Sequence, residues 1–252
     1  MPTQVEKMIV AASRLLPKDT AVYVGTGMPL LASALALNTH APDLLLVYEG
    51  GGVGGKPAGR LPIQVSESLT YDDGVIVGSM DYVMSLAQAG WIQYGFLGGA
   101  QIDKYGNLNT TVIGDWDKPK IRLPGSGGGA DIASFCDRNI ILMQQDKRKF
   151  VEELDFLTSP GYLTGKGARE EAGLPRNSGP YRVITQLGVY GFDEETKEMT
   201  LLQLFEGVTL EDVQEHSSFP IRISDDWTYV AAPEEDELAT LRGLDPDGVV
   251  LG

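Results

Sequence analysis

Twice within its first fifty-two residues this chain runs from an apolar segment straight into glycine. Ala21-Val22-Tyr23-Val24 meets Gly25-Thr26-Gly27, and Leu44-Leu45-Leu46-Val47-Tyr48 meets Glu49-Gly50-Gly51-Gly52. Short continuous apolar runs bounded by turn residues read as strands buried on both faces, as in parallel sheets. Pro29, well tolerated in a first helical turn, opens a helix through Leu37 between them. Two consecutive βα units whose strands both end in glycine-rich loops predict an α/β fold. The sheet is expected to be open, mainly parallel and flanked by helices, with a site along one edge. Glu49 then stands at a C-terminal strand tip, the edge where such sheets bind ligands. Gly50 to Gly52 would keep that edge open and let another backbone, or a substrate, come close. Taken alone, Glu49 is better read as a charged residue that ends a strand and starts a loop.

The remaining chain continues the alternation. Val5 to Leu16 has apolar residues at spacings of three and four, one face of a helix. Gly50 to Arg60 reads as a glycine-rich surface loop and Tyr71-Asp72-Asp73-Gly74 as a turn. Tyr82 to Ala89 reads as a helix and Ile92 to Leu97 as a strand. Lys104 to Asn109 is a turn between extended segments. A second glycine cluster, Gly125-Ser126-Gly127-Gly128-Gly129, precedes a helical run, Ile132 to Phe135, so its backbone N–H groups are expected to face outward. Strands follow at Asn139 to Gln144, Arg182 to Leu187, Val189 to Phe192 and Thr200 to Phe205. Thr209 is a helix N-cap with acidic residues behind it. Asp225 to Gly252 is acidic, with a helix from Glu234 to Gly243. No internal repeat or long linker interrupts the 252 residues, so a single domain over 1–252 is the simplest organisation.

A formal net charge of −15 argues against a nucleic-acid or anionic-membrane surface. No apolar stretch reaches the ~20 residues that span a bilayer, and Met1 to Lys7 does not read as a secretory signal. A cytoplasmic protein is the expectation. One cysteine, Cys136, excludes an intrachain disulfide and sits in an apolar run as a core residue. The two histidines, His40 and His216, are far apart, and no metal-ligand spacing is present. Lys147-Arg148-Lys149 is the densest basic cluster, either a phosphate contact or a solvated turn.

A carboxylate beside preorganised N–H donors is a coherent acyl-transfer site. Attack on an acyl thioester gives a mixed anhydride and a free thiolate, and the thiolate can return to leave the protein's carboxyl as a thioester. The charge that builds on the thioester oxygen is met by backbone N–H groups, each worth about 3 kcal/mol where measured. Gly25-Thr26-Gly27 and Gly125 to Gly129 are the two places that offer them.

The ordered set of motifs is similar to a known family. It comprises Val24-Gly25-Thr26-Gly27-Met28-Pro29-Leu30, Ala41-Pro42-Asp43 through Glu49-Gly50-Gly51, and Gly98-Gly99-Ala100-Gln101-Ile102-Asp103-x-Tyr105-Gly106-Asn107-x-Asn109. Gly125-Ser126-Gly127-Gly128, Lys147-Arg148 and Thr158-Ser159-Pro160-Gly161 complete it. From about Val5 to the C-terminal helix the chain resembles the β subunit of family I CoA-transferases of the glutaconate type. The resemblance implies a CoA-transferase fold, a separate α subunit, and acyl-CoA and carboxylate substrates, with no permanently bound cofactor and no metal. It implies Glu49 as catalytic nucleophile, forming a glutamyl-CoA thioester in a ping-pong reaction. It implies oxyanion and CoA contacts at Gly25, Thr26, Gly27, Gly125, Gly127, Gly128 and Gly129. Where relatives commonly follow the nucleophile with Ser-Gly or Asn-Gly, this chain has Gly50-Gly51. The alternative is an acyl-CoA or β-diketone hydrolase on the same scaffold, whose members tend to lack the glutamate. Decarboxylating relatives carry cysteine at that position, and ligand-sensing regulators would add a DNA-reading module.

Overall fold

The computed structural model describes residues 1–56 and 60–252. The chain divides into two compact units, Met1–Phe96 with Ala231–Gly252, and Leu97–Val230. The first begins with helix α1 (Gln4–Ser13), strand β1 (Ala21–Val24), helix α2 (Met28–Asn38) and strand β2 (Leu45–Tyr48). It continues through β3 (Gly52–Val53), a 3₁₀ turn at Ser68–Tyr71, β4 (Ile76–Val77), α3 (Met80–Gln88) and β5 (Tyr94–Leu97). Its strands lie in the order β5-β1-β2-β3-β4, parallel across β5, β1 and β2 and antiparallel across β2, β3 and β4.

The second unit has two hairpins, β6 (Gln101–Ile102) with β7 (Leu108–Asn109) and β8 (Val112–Gly114) with β9 (Pro119–Arg122). Helix α4 (Gly129–Phe135), β10 (Arg138–Leu142), the short α5 (Ala168–Glu171), β11 (Gly179–Ile184) and β12 (Gly188–Phe192) follow. Strand β13 (Met199–Leu204), helix α6 (Leu210–Glu215) and β14 (Arg222–Tyr229) complete it. Here the order is β14-β13-β12-β11-β10, with parallel pairs β10–β11 and β13–β14 around an antiparallel β11-β12-β13 meander. The chain then returns to the first unit as α7 (Glu235–Leu244). The α/β class expected from the sequence holds, with antiparallel hairpins added to the parallel strands.

The elements that carry the first glycine turn form for visible reasons. Every residue of β1 is buried, as a strand covered on both faces requires. Helix α2 is apolar nearly all round, with Leu30, Leu31, Ala32, Leu35 and Ala36 at 1% exposure or less. Such a helix is stable only when surrounded, and α2 packs against α1, α7 and β1. Helix α1 starts at a capping box in which the Thr3 hydroxyl accepts from the Glu6 N–H and the Glu6 carboxylate accepts from the Thr3 N–H.

Two arginine–glutamate pairs fasten α7 to α1. Arg242 Nε donates to Glu6 Oε1 at 2.7 Å, and Arg14 Nε donates to Glu237 Oε1 at 2.8 Å. Arg14 also donates to the carbonyls of Ala231 and Ala232 ahead of α7. Glu6 is itself buried, 3% exposed, so losing its partner would leave a stranded charge. The Arg242 hydrogen bond, helped by those from Thr3, holds the Glu6 carboxyl below its ordinary 4.5 against the opposing effect of burial.

A carboxyl depressed in the folded state stabilises above its unfolded value, and that contribution is lost as pH falls through the folded value. Glu6→Gln is therefore expected to melt below wild type near pH 7, with the gap narrowing as pH falls below the ordinary carboxyl value of 4.5. Thermal melts across that range check this; a gap independent of pH would show that the carboxylate charge is not what holds the two helices.

Candidate active site

Glu49 sits at the tip of a tight turn. The Gly51 N–H donates to the Tyr48 carbonyl at 2.9 Å, which closes Tyr48–Gly51 as a β-turn with Glu49 and Gly50 at its centre. The chain comes straight back as β3, antiparallel to β2 with Val47 opposite Val53. The stretch read as loop from Gly50 to Arg60 thus includes a strand, and part of it, residues 57–59, lies outside the described residues. Dense glycine hides β3 in the sequence, since glycine is depleted in strands.

The three glycines do the opposite of keeping the edge open. A Cβ on Gly50 would lie 2.6 Å from the Val65 carbonyl oxygen, one on Gly51 2.2 Å from that of Gly78, and one on Gly52 2.4 Å from that of Thr70. Gly51 also takes a φ of +117°, which L side chains rarely adopt. Another backbone does come close, and it is the protein's own residues 65–79. The Gly78 N–H donates to the Gly51 carbonyl at 2.9 Å, and the Tyr71 hydroxyl donates to the Gly50 carbonyl at 2.8 Å. The Glu49 side chain is half-buried and makes no hydrogen bond or ion pair among the described residues. Behind it Tyr48 is 1% exposed. Burial raises its phenol above the ordinary range, and its hydroxyl finds no partner among the described residues.

The first glycine turn leaves the same edge. Strands β1 and β2 pair in parallel with Val24 opposite Tyr48, so Gly25 and Glu49 are the next residues out of neighbouring strands. Gly27 is the N-cap of α2 at φ +78°, with no side-chain cap on the first amides and Pro29 in the first turn. A Cβ at Gly25 or Gly27 would meet nothing within 4 Å. Uncapped amides at a helix start, with no side chain over them, are an anion site. Glu49 and Gly25-Thr26-Gly27 are therefore brought together on one edge of the first unit.

Gly125, Gly127, Gly128 and Gly129 belong to the second unit. Gly125 and Gly127 have φ of +95° and +48°, and Thr110 holds Gly125 through its hydroxyl and carbonyl. The amides expected to face outward are partly occupied. Ser126 accepts from the Gly129 N–H through its carbonyl at 2.8 Å and from the Ala130 N–H through its hydroxyl at 3.0 Å.

Lys147 and Arg148 are exposed on a turn, Arg148 beside Asp146 at 3.6 Å. Cys136 is fully buried, its thiol pushed up to about 12 mainly by that burial. His40 and His216 face the backbone carbonyls of Leu16 and Asp212. Among the described residues no His, Cys, Asp and Glu cluster could hold a metal, and no helix is long and apolar enough to cross a membrane.

Residues 5–216 match the family model described as coenzyme A transferase. The chain belongs to that family. It is 40% identical over 241 residues to the β subunit of the 3-oxoadipate CoA-transferase of Pseudomonas knackmussii, covering 95% of this chain and 92% of that one. It is 37% identical to the β subunit of the glutaconate CoA-transferase of Acidaminococcus fermentans, covering 88% and 85%. The crystal structure of glutaconate CoA-transferase from A. fermentans superposes with a TM-score of 0.94 at 33% identity, over 100% of this chain and 98% of that one. The enzyme class is that of a CoA-transferase.

Several motif residues that carried the resemblance prove to be scaffold of this transferase. Asn107 Oδ1 accepts from the Gly161 N–H at 2.7 Å and the Leu163 N–H at 3.0 Å, and its Nδ2 donates to Asp103. A Cβ on Gly161 would lie 2.3 Å from the Gly106 carbonyl carbon. Arg169 is 2% exposed and donates to the carbonyls of Pro160, Gly161, Ala133 and Ser134 and to the Ser178 hydroxyl. It ties the Thr158–Gly161 loop to α4, the helix behind the second glycine turn. Nothing in local sequence signals this role.

The two glycine turns respond differently to a methyl group. Gly51→Ala is expected to cost roughly 2–5 kcal/mol, from its positive φ and the Gly78 carbonyl. Gly25→Ala is expected to cost about 1 kcal/mol or less. Urea unfolding of the two variants measures both; equal midpoints would contradict the close backbone approach at Gly51.

Proposed function

We propose that this chain is the β subunit of a two-subunit CoA-transferase that moves CoA between an acyl-CoA and a short carboxylic acid. The relatives, β subunits of 3-oxoadipate and glutaconate CoA-transferases, support a separate α subunit and a dicarboxylate among the substrates. The reading rests most on one observation: Glu49, at the tip of its turn, leaves the same strand edge as the uncapped amides of Gly25 to Gly27.

Glu49 is the nucleophile. A carboxylate oxygen attacks the thioester carbonyl, the C–S bond breaks, and CoA leaves as thiolate from a mixed anhydride. The thiolate attacks the glutamyl carbonyl, releasing the donor carboxylate and leaving a Glu49–CoA thioester. An acceptor carboxylate attacks that thioester, and the returning thiolate takes the acyl group from the new anhydride and frees Glu49. Negative charge forms on a carbonyl oxygen at each addition. The amides at the start of α2 meet it, fixed in place before the reaction begins. The Gly125–Gly129 turn is assigned to CoA contact and not to the oxyanion, because its Gly125 and Gly129 amides are already engaged by the Thr110 and Ser126 carbonyls. CoA is substrate throughout, and no resident cofactor is required.

In the assembled two-subunit enzyme, Glu49→Ala should lower CoA exchange between an acyl-CoA and a labelled carboxylate at least ~1,000-fold. Wild type should show ping-pong kinetics and a CoA adduct on Glu49 that borohydride traps. Exchange at wild-type rate in Glu49→Ala would refute the nucleophile, and release of free CoA without acceptor-CoA would make the enzyme a hydrolase.

A further inference from the structure

The peptide plane between Gly50 and Gly51 is gripped from both sides. Its N–H donates back to the Tyr48 carbonyl at 2.9 Å, and its C=O accepts the Tyr71 hydroxyl at 2.8 Å. Glu49 lies between the Tyr48 carbonyl on one side of that grip and the plane itself. The next plane is held as well, through the Gly78 N–H on the Gly51 carbonyl at 2.9 Å. Without a side-chain partner of its own among the described residues, the Glu49 carboxylate is placed through this backbone.

Glycine makes that placement fragile. A Gly-Gly peptide can rotate at little steric cost, and a rotated plane would release the turn that sets the α-carbon of Glu49 and everything beyond it. The backbone bond from Gly51 to Tyr48 belongs to the turn itself. The Tyr71 bond comes from 21 residues further along the chain. Tyr71 is itself fixed: it ends the 3₁₀ turn, its carbonyl accepts the Gly74 N–H at 3.0 Å, and its ring edge lies 3.2 Å from where a Cβ on Gly52 would stand.

We infer that Tyr71 is a positioning residue for Glu49, whose hydroxyl locks the Gly50–Gly51 peptide in the orientation that presents the carboxylate for attack. This rests on Glu49 being the nucleophile. Tyr71 does no chemistry; it narrows the range of carboxylate positions, and a displacement of about 1 Å can cost on the order of 100-fold in rate.

The test uses Tyr71→Phe in the two-subunit enzyme, which keeps the ring and removes only the donor. The kcat for CoA exchange should fall roughly 10- to 100-fold with KM for acyl-CoA within about twofold. The melting temperature should stay within about 4 °C, since one neutral hydrogen bond is removed. Formation of the borohydride-trapped Glu49–CoA adduct should slow by the same factor as kcat. Tyr71→Phe should also couple to Glu49→Asp, the double variant losing less than the product of the two single losses. A wild-type kcat in Tyr71→Phe, a loss expressed entirely in KM, or strictly multiplicative losses would each overturn the inference. If Glu49→Ala is inactive while Tyr71→Phe is fully active, the nucleophile stands and only the positioning role fails. Wild-type exchange in Glu49→Ala removes the premise instead.

Discussion

Backbone packed against backbone at Gly50 to Gly52 is the constraint on which the first unit's candidate site depends. Three successive residues each face a carbonyl at a distance that no Cβ would allow. That approach is what permits the Gly78 N–H to reach the Gly51 carbonyl and β4 to pair with β3. The turn then carries Glu49 at its tip, with hydrogen bonds to Gly50 and Gly51 fixing the chain behind it. A carboxylate held this way needs no network of side-chain hydrogen bonds to place it. In the proposed nucleophilic role such a network would also lower its reactivity, because each donor that stabilises the carboxylate must be given up on attack. A half-exposed carboxylate on a rigid turn keeps its electron pairs free and its position fixed, which is what effective molarity requires.

The second unit solves a related problem with side chains. Asn107 uses its amide oxygen for two N–H groups and its nitrogen for Asp103 Oδ2 and the Leu163 carbonyl, so both ends of its side chain join two segments. Burial raises the Asp103 carboxyl, while hydrogen bonds from Asn107 and Tyr105 oppose that rise. Arg169 is a buried cation that donates to carbonyl oxygens and one hydroxyl. Desolvation pulls its affinity for the proton down, yet guanidinium remains protonated under all ordinary conditions. Oriented carbonyl dipoles replace the water it lost. A lysine there would offer a point charge where a fork is needed.

Elements set by local pattern are legible in the sequence. The helix expected over Val5–Leu16 is α1, the strand at Ala21–Val24 falls on the expected residues, and Thr209 caps α6 with a full capping box. The hairpin around Gly106-Asn107 also stands where the turn chemistry puts it. Strand β14 escapes a sequence reading because its residues are largely exposed, so no apolar alternation marks it. Its neighbour β13 holds it, and a pairing partner leaves no trace in a strand's own sequence. The same holds for the candidate site. Glu49 and Gly25–Gly27 can be found because each is local. Tyr71, Gly78 and Arg169 act across 20 or more residues, at Gly50 (from Tyr71), Gly51 (from Gly78) and Ala133 (from Arg169), and each reads locally as part of an ordinary turn or polar stretch.

Glycine itself shows why sequence stops where it does. Gly25 and Gly51 stand just past the ends of neighbouring parallel strands, and in sequence they make the same statement. In space they make opposite ones. Around Gly25 nothing lies within 4 Å of a Cβ, and around Gly51 a carbonyl oxygen lies at 2.2 Å. The first position leaves helix amides uncovered, and the second is filled by neighbouring backbone beside the Glu49 turn. The acyl transfer proposed for Glu49 would need both at once. The donors must be reachable by a substrate that changes twice in each cycle, and the nucleophile must return to the same place after each departure. One residue type can provide access and immobility within one strand edge because its lack of a side chain is filled differently on the two strands.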